Sequence, residues 1–261
     1  MRSIGLSSCF LLLFITTAFG GAALAADMTR EQVSDALAHA TADQPADFAG
    51  KSLEKLDLTK LNFTGAKLAG ANLFGANLMD ADFTGADLSG ATLDLAWLMR
   101  TNFTRANLTH ASIQGPVVAM GMETSAAQAP ILPEADLSGA RIVARLNWAN
   151  MQGAKFVDAR MGADMKNQSM GLMRVDMSSA NLAGADFTGA DLFHASMRFT
   201  KLMGANLAGA RLALADLSGA DLTGADLTGA DVSDADFTQA VLTGAKGLDQ
   251  MKGKPLNLPG Q

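Results

Sequence analysis

Three sets of residues in this chain are of a type that could do chemistry. Met120, Met122, Met151, Met161, Met165, Met170, Met173 and Met177 gather in its middle third. Thioethers are soft ligands that select Cu(I), so a copper site is one reading. Against it, Met151, Met161 and Met177 stand at positions that Leu holds elsewhere, where Met is a flexible core filler. The three histidines, His39, His110 and His194, have no second His or Cys at ligand spacing, so zinc is unsupported. The many Asp residues recur at fixed steps, which spreads them along a surface instead of pairing two across a cleft. No G-x-S-x-G, P-loop or Gly-rich dinucleotide turn occurs. The expectation is no catalytic residue, no cofactor, no metal ligand and no enzyme activity.

What positions these residues is a repeat. Over 175–245 a large apolar residue returns every fifth position, at Met177, Leu182, Phe187, Leu192, Met197 and onward to Leu242. Ala usually stands two before it, Asp or Asn one before, and Ser/Thr then Gly often follow. The same pattern runs from Phe48 to Ile113. Five matches neither the helical period of 3.6 nor the strand period of 2. A short period sustained this long marks a solenoid, in which each unit buries its apolar face only by stacking on the next.

The unit A-[D/N]-L-[S/T]-G resembles the pentapeptide-repeat family. That resemblance implies an all-β fold, a right-handed quadrilateral β-helix with 20 residues per coil and the Leu/Phe and Ala positions pointing inward. Spacing by 20 then predicts apolar columns: Phe63, Phe83 and Phe103 in one, and Met177, Met197, Leu217 and Phe237 in another. At the polar position Lys67, Lys201 and Arg211 each fall 20 residues from an acidic residue. They are expected to compensate charge along a ladder rather than form a basic binding spot.

The chain has 261 residues and a formal net charge of −6, the wrong sign for a nucleic-acid binder. Arg2, the apolar run 9–19 and Ala23-Leu24-Ala25 read as a cleavable secretory signal over 1–25. Its removal takes away the single cysteine, Cys9. No stretch of the mature chain is apolar and long enough for an integral membrane span. A periplasmic or secreted location is expected. Over 26–45 the sequence predicts an N-terminal cap helix, about 31–40, opened by a Thr29/Gln32 capping box. Repeats are expected over 46–247, interrupted by a loop at 114–134 and irregular at 143–176. A flexible tail is expected over 248–261.

The favoured function is an exported, non-enzymatic scaffold that meets an unidentified protein partner, with homodimerisation compatible with the sequence. The candidate contact region is Val117, Met120, Met122, Trp148, Met170 and Met173. Two alternatives come from other classes. Some proteins of the resembled family mimic DNA and bind gyrase, which a secretory signal opposes. The other is the soft-metal centre in the Met cluster.

Overall fold

The computed structural model describes residues 26–119, 125–163 and 174–260. From Asp47 to Leu256 nearly every fifth residue makes an isolated parallel bridge to the coil above, the coil below or both. The bridges fall into four ladders, one for each side of the coil. The first begins Asp47, Lys67, Asp87, and the second Ser52, Asn72, Thr92. The third begins Asp57, Asn77, Trp97, and the fourth Asn62, Asp82, Asn102. About nine coils stack in this way, followed by part of a tenth.

Each position of the repeat has a physical reason. The central residue donates its N–H to the ladder carbonyl one coil on, as Leu73 N does to Thr92 O at 2.8 Å. The ladder residue donates back to the inward Ala, as Asp87 N does to Ala66 O at 2.9 Å. The Asp or Asn side chain accepts from the backbone two residues on, for instance Thr84 N to Asp82 Oδ1 at 2.9 Å and Thr238 N to Asp236 Oδ1 at 2.9 Å. This Asx turn starts the bend, and a residue with φ near +60° completes it. The short polar residue is therefore part of the corner, not decoration on it. Backbone groups on each coil are paired with its neighbours, as a buried stack requires.

The core is the set of centres and inward alanines. Phe63, Phe83 and Phe103 are buried and stack face to face, with centroids 4.5 and 5.3 Å apart. Phe156 and Phe187 repeat the arrangement at 4.7 Å. Met177, Met197, Leu217 and Phe237 are fully buried centres that each follow a residue of the third ladder. Rings on successive coils meet at about the strand spacing, so they stack offset instead of edge-on.

The first helix, α1 (Arg30–Ala38), closes the open end of the first coil. Thr29 Oγ1 accepts from Gln32 N at 3.3 Å, and Thr29 N donates to Gln32 Oε1 at 2.8 Å. Val33 is buried on the coil, and Arg30 reaches the carbonyls of Asp57 and Thr59.

Several sequence expectations change. The interruption is shorter than 114–134. Ser112–Gln114 forms strand β1, Val117 bridges Trp97, and Leu132 is already buried. Asn102 pairs with Ile131, 29 positions on instead of 20, so nine extra residues leave the coil between the third and fourth sides. Most of 143–176 is regular as well. One residue is missing in the turn after strand β2 (Arg141–Val143), and Ile131 pairs with Asn150 only 19 positions on. That short turn straightens the chain, which is why β1 and β2 pair as three-residue strands. A second insertion follows: Arg160 pairs with Asp191, 31 positions on, so eleven extra residues leave between the second and third sides. The tail is not loose, because Lys252 and Leu256 continue the second and third ladders and Leu248, Met251 and Leu258 pack on the core.

Candidate functional site

The turns distinguish one side of the solenoid from the others. The residue three after most ladder positions has φ between about +54° and +69°. Around the first side it is mostly glycine: Gly50, Gly70 and Gly90 on one edge, Gly65, Gly85 and Gly184 on the other. There the exceptions are His110, Asp158, Arg105 and Glu134. Around the third side the preference reverses. Lys55, Leu95, His194, Leu214 and Asp234 stand on its leading edge, with Gly75 and Gly115 also there. Lys60, Asp80, Arg100, Trp148, Ser179, Phe199 and Gln239 stand on its trailing edge, with Gly219 the one glycine among the described residues there. A side chain in this left-handed region costs about 1–2 kcal/mol. Twelve such residues bound the third side and four bound the first.

Exposed apolar side chains follow the same division. Trp97 and Leu256 lie on the third side; Leu95, Trp148, Phe199 and Leu214 lie at its turns. Trp148 and Phe199 are 50% and 56% exposed, although tryptophan and phenylalanine favour burial. Ile131 and Val241 are on the fourth side, and Met203 is in the turn between the fourth and first sides. Among the described residues no large apolar side chain is exposed to this degree on the first or second side. Both insertions open at the two edges of the third side, and its ladder is the one that breaks, between Val117 and Arg145.

Bulky turn residues lie down on the next coil. The Phe199 ring covers Gly219, where an added Cβ would sit 2.5 Å from Cδ1 and Cε1. His110 covers Gly139 in the same way. Arg100 instead pairs with Asp80 one coil back, Nε to Oδ1 at 2.6 Å and Nη2 to Oδ2 at 2.8 Å. This two-point bond holds the Asp80 carboxyl below its ordinary value. Arg198 Nε lies 3.6 Å from Asp216 Oδ2, and Arg174 Nη1 lies 3.3 Å from His194 Nδ1. Burial pushes Asp176 up, but hydrogen bonds from Ser178, Asn147 and Ser196 outweigh it and leave its pKa lowered.

Of the residues singled out from sequence, Val117 is an outward ladder residue on the third side and Trp148 is at its trailing turn. Met120, Met122, Met165, Met170 and Met173 lie outside the described residues, as does the 1–25 segment. Met151, Met161 and Met177 are fully buried core centres, so their sulfurs face the stack. Among the described residues no cluster of three His, Cys, Asp or Glu side chains is arranged to hold a metal. The three basic ladder residues divide. Arg211 Nη1 reaches Asp191 Oδ1 at 3.2 Å and lies over the Phe193 ring at 4.2 Å. Lys67 and Lys201 make no ion pair among the described residues. The Asp87 carboxylate beside Lys67 is already occupied by Ser89 N–H and Asn107 Nδ2.

Sequence reasoning passed over Leu95, Arg100, Phe199 and Leu214, and weighed His194 only as a metal ligand. The signal was present: each replaces the glycine of its unit.

These features define a β-helical repeat protein whose turns single out one side. The chain belongs to the pentapeptide-repeat family: the model for "Pentapeptide repeats (8 copies)" matches 46–75, 76–115, 172–209 and 205–244, together more than half of it. The fold is thus a right-handed β-helix. A comparison with curated proteins found no match. Among solved structures, the chain resembles HetL, a pentapeptide repeat protein involved in heterocyst differentiation regulation in the cyanobacterium Nostoc sp. That match has 27% identity over 86% of this chain and 94% of HetL, with a TM-score of 0.36. It also resembles QnrB1, a plasmid-mediated fluoroquinolone resistance protein, at 20% identity over 79% of this chain and 94% of that one, TM-score 0.44. A third relative is a thylakoid-lumen pentapeptide repeat protein of Arabidopsis thaliana, 26% identical over 59% of this chain and 66% of that one, TM-score 0.15.

Proposed function

We propose that this protein is an exported, non-enzymatic scaffold, a quadrilateral β-helix that presents its third side to a protein partner in the periplasm or outside the cell. The observation that carries the reading is the concentration of non-glycine left-handed turn residues at the edges of that side, twelve against four around the first side. Strained backbone retained more at one surface than at another is a pointer to use. The exposed Trp, Phe and Arg residues match the residue types that anchor protein interfaces. Export is supported by the apolar run 9–19 and the small residues at 23–25. Two positions after Ala25, Asp27 N donates to Ser52 O at 2.7 Å. No helix among the described residues is long and apolar enough to cross a membrane.

The test is a capture experiment from the exported fraction, comparing the wild-type chain with two variants. One lacks 119–127, which restores the 20-residue step between Asn102 and the next residue of its ladder. The other is Trp97→Ala. Loss of one partner in both variants supports the reading, provided the variants keep the wild-type melting temperature within a few degrees. Equal capture by all three overturns it. Retention of the tagged chain in the cytosol would revive the gyrase-binding alternative.

A further inference from the structure

We propose that the first side of the solenoid binds a second copy of this chain, face to face and antiparallel, in full register. This goes beyond the scaffold reading and does not need it: the third side lies two sides away and stays free in both copies.

The first side is the one side that no change of step touches. The nine added residues leave between the third and fourth sides. The missing residue and the eleven added ones fall between the second and third. The first ladder therefore runs unbroken through ten rungs, from Asp47 to Lys246, that read Asp-Lys-Asp-Asn twice and then Asp-Lys. That order is hidden in the sequence, where the steps between rungs are 20, 29, 19 and 31 positions.

Reversed against itself, this order sets acid on base. Asp47 meets Lys246 of the second copy, Lys67 meets Asp226, and Asp136 meets Lys155, each contact occurring twice about the two-fold axis. Asp87 and Asn107 meet Asn206 and Asp186. No like charges meet on any rung, and opposite charges across such a contact attract. A slip of one rung either way sets Asp87 against Asp186 or Asp226, and a parallel arrangement sets every residue against itself. A slip of two rungs keeps four of the six ion pairs.

Both signs are available for these contacts. Lys67, Lys155 and Lys246 are exposed, and among the described residues they make no ion pair with the acids of their own ladder. The acids use one oxygen for their own corners: Oδ1 of Asp47, Asp87, Asp136 and Asp186 each accepts from the backbone two residues on at 3.0 Å, and Asp226 does so at 2.9 Å. Among the described residues no hydrogen bond reaches Oδ2 of any of the five. The pattern needs alternation and not an excess of one sign, so the acids beside each Lys are part of the fit.

The edges agree with this register. Arg105 comes opposite Gly184 of the second copy. His110, which lies on Gly139, comes opposite Asp158, which lies on Gly189. Glu134 leans over Gly153, toward the two-fold axis, and there meets its own copy, the one like-charge approach at the edges. The face is about 43 Å long and about 10 Å wide, ten rungs by three extended residues. That is the low end of specific interfaces, so the dimer is a weak, salt-sensitive one.

The test is sedimentation equilibrium on protein purified from cells expressing the full chain, over a range of concentrations at low and at high salt. The expected result is a monomer–dimer equilibrium that high salt weakens. Lys67→Asp turns two ion pairs into two repulsions and should raise the dissociation constant about tenfold. Adding Asp226→Lys should restore it. Lys67 and Asp226 stand seven rungs apart on one chain, about 34 Å, so the rescue requires the antiparallel register. Glu134→Gln should tighten the dimer, and Lys201→Asp on the fourth side should leave it unchanged. Melting temperatures within a few degrees of wild type show that the variants fold. Lys67→Gln, with a smaller expected loss, covers the case in which the reversal does not. A monomer at every concentration overturns the proposal. So does a dimer that Lys67→Asp leaves intact or that Asp226→Lys fails to restore. A dimer that Trp97→Ala dissociates instead overturns it too, and assigns the contact to the third side.

Discussion

The contact between Phe199 and Gly219 can be isolated by a mutant cycle. Gly219 and Gly224 have nearly the same backbone, φ +66° and +68°. They differ in what a Cβ would meet. At Gly224 nothing lies within 4 Å, whereas at Gly219 the Phe199 ring is 2.5 Å away. Alanine in the left-handed region costs about 1–2 kcal/mol. The reduced freedom of the unfolded chain returns about 0.4–1 kcal/mol of that. Gly224→Ala should therefore destabilise by about 0.5–1 kcal/mol. At Gly219 the ring must also swing off the coil. A fully buried Phe gains about 1.5–3 kcal/mol from burial, and this one is 56% exposed, so roughly 1 kcal/mol more is lost. Urea unfolding at matched m-values should give Gly219→Ala about twice the cost of Gly224→Ala. In a Phe199→Ala background the two should become equal. If Gly219→Ala and Gly224→Ala cost the same with Phe199 present, the ring does not lie where the structure puts it. If Gly224→Ala costs nothing, the strain argument for the third side fails with it.

Phe83 sits between two stacked rings and is fully buried, so Phe83→Ala should cost about 3–5 kcal/mol by urea unfolding, and Phe83→Leu, the usual residue at that position, less than half as much. Asp80→Asn should cost under about 1 kcal/mol, because the Arg100 pair is partly exposed, and the difference should shrink in high salt. Asp57, Asp226, Asp231 and Asp236 are all held below the ordinary carboxylate value, first by the hydroxyl two residues on and then by its backbone N–H. A depressed folded pKa stabilises above the unfolded value and loses that stabilisation as pH falls through the folded one. The melting temperature should therefore be flat from neutral pH to about 5 and fall below about 4. Replacing Ser233 and Thr238 by Ala and Val should make that fall shallower; an unchanged acid profile would refute the role of these hydroxyls.

Most of the fold was legible in the sequence because its interactions are local or strictly periodic. The Ala-Asp-Leu-Thr-Gly unit encodes its own corner: the Asp accepts from the backbone two residues on, and the residue after that turns left-handed. Phe63, Phe83 and Phe103 could be placed in one column by counting alone. The capping box at Thr29 and Gln32 is equally local. The candidate site was less legible. Trp148 was noticed as a residue, but its place in one turn column with Ser179 and Phe199 was not.

What the sequence alone determined is the unit, the stack and the residues facing the axis. What only the tertiary structure decided is which residues share a side once the count slips. Arg100 and Trp148 stand on the same edge 48 positions apart, not 40, because nine residues enter and one is lost between them. The pairing of one coil with the next depends on hydrogen bonds and buried centres within the coils, and not on the length of chain that leaves between two sides. Loop closure grows only slowly more costly with length. Insertions of nine and eleven residues are therefore accepted without breaking the stack, and nothing in the local sequence announces where the chain will rejoin it.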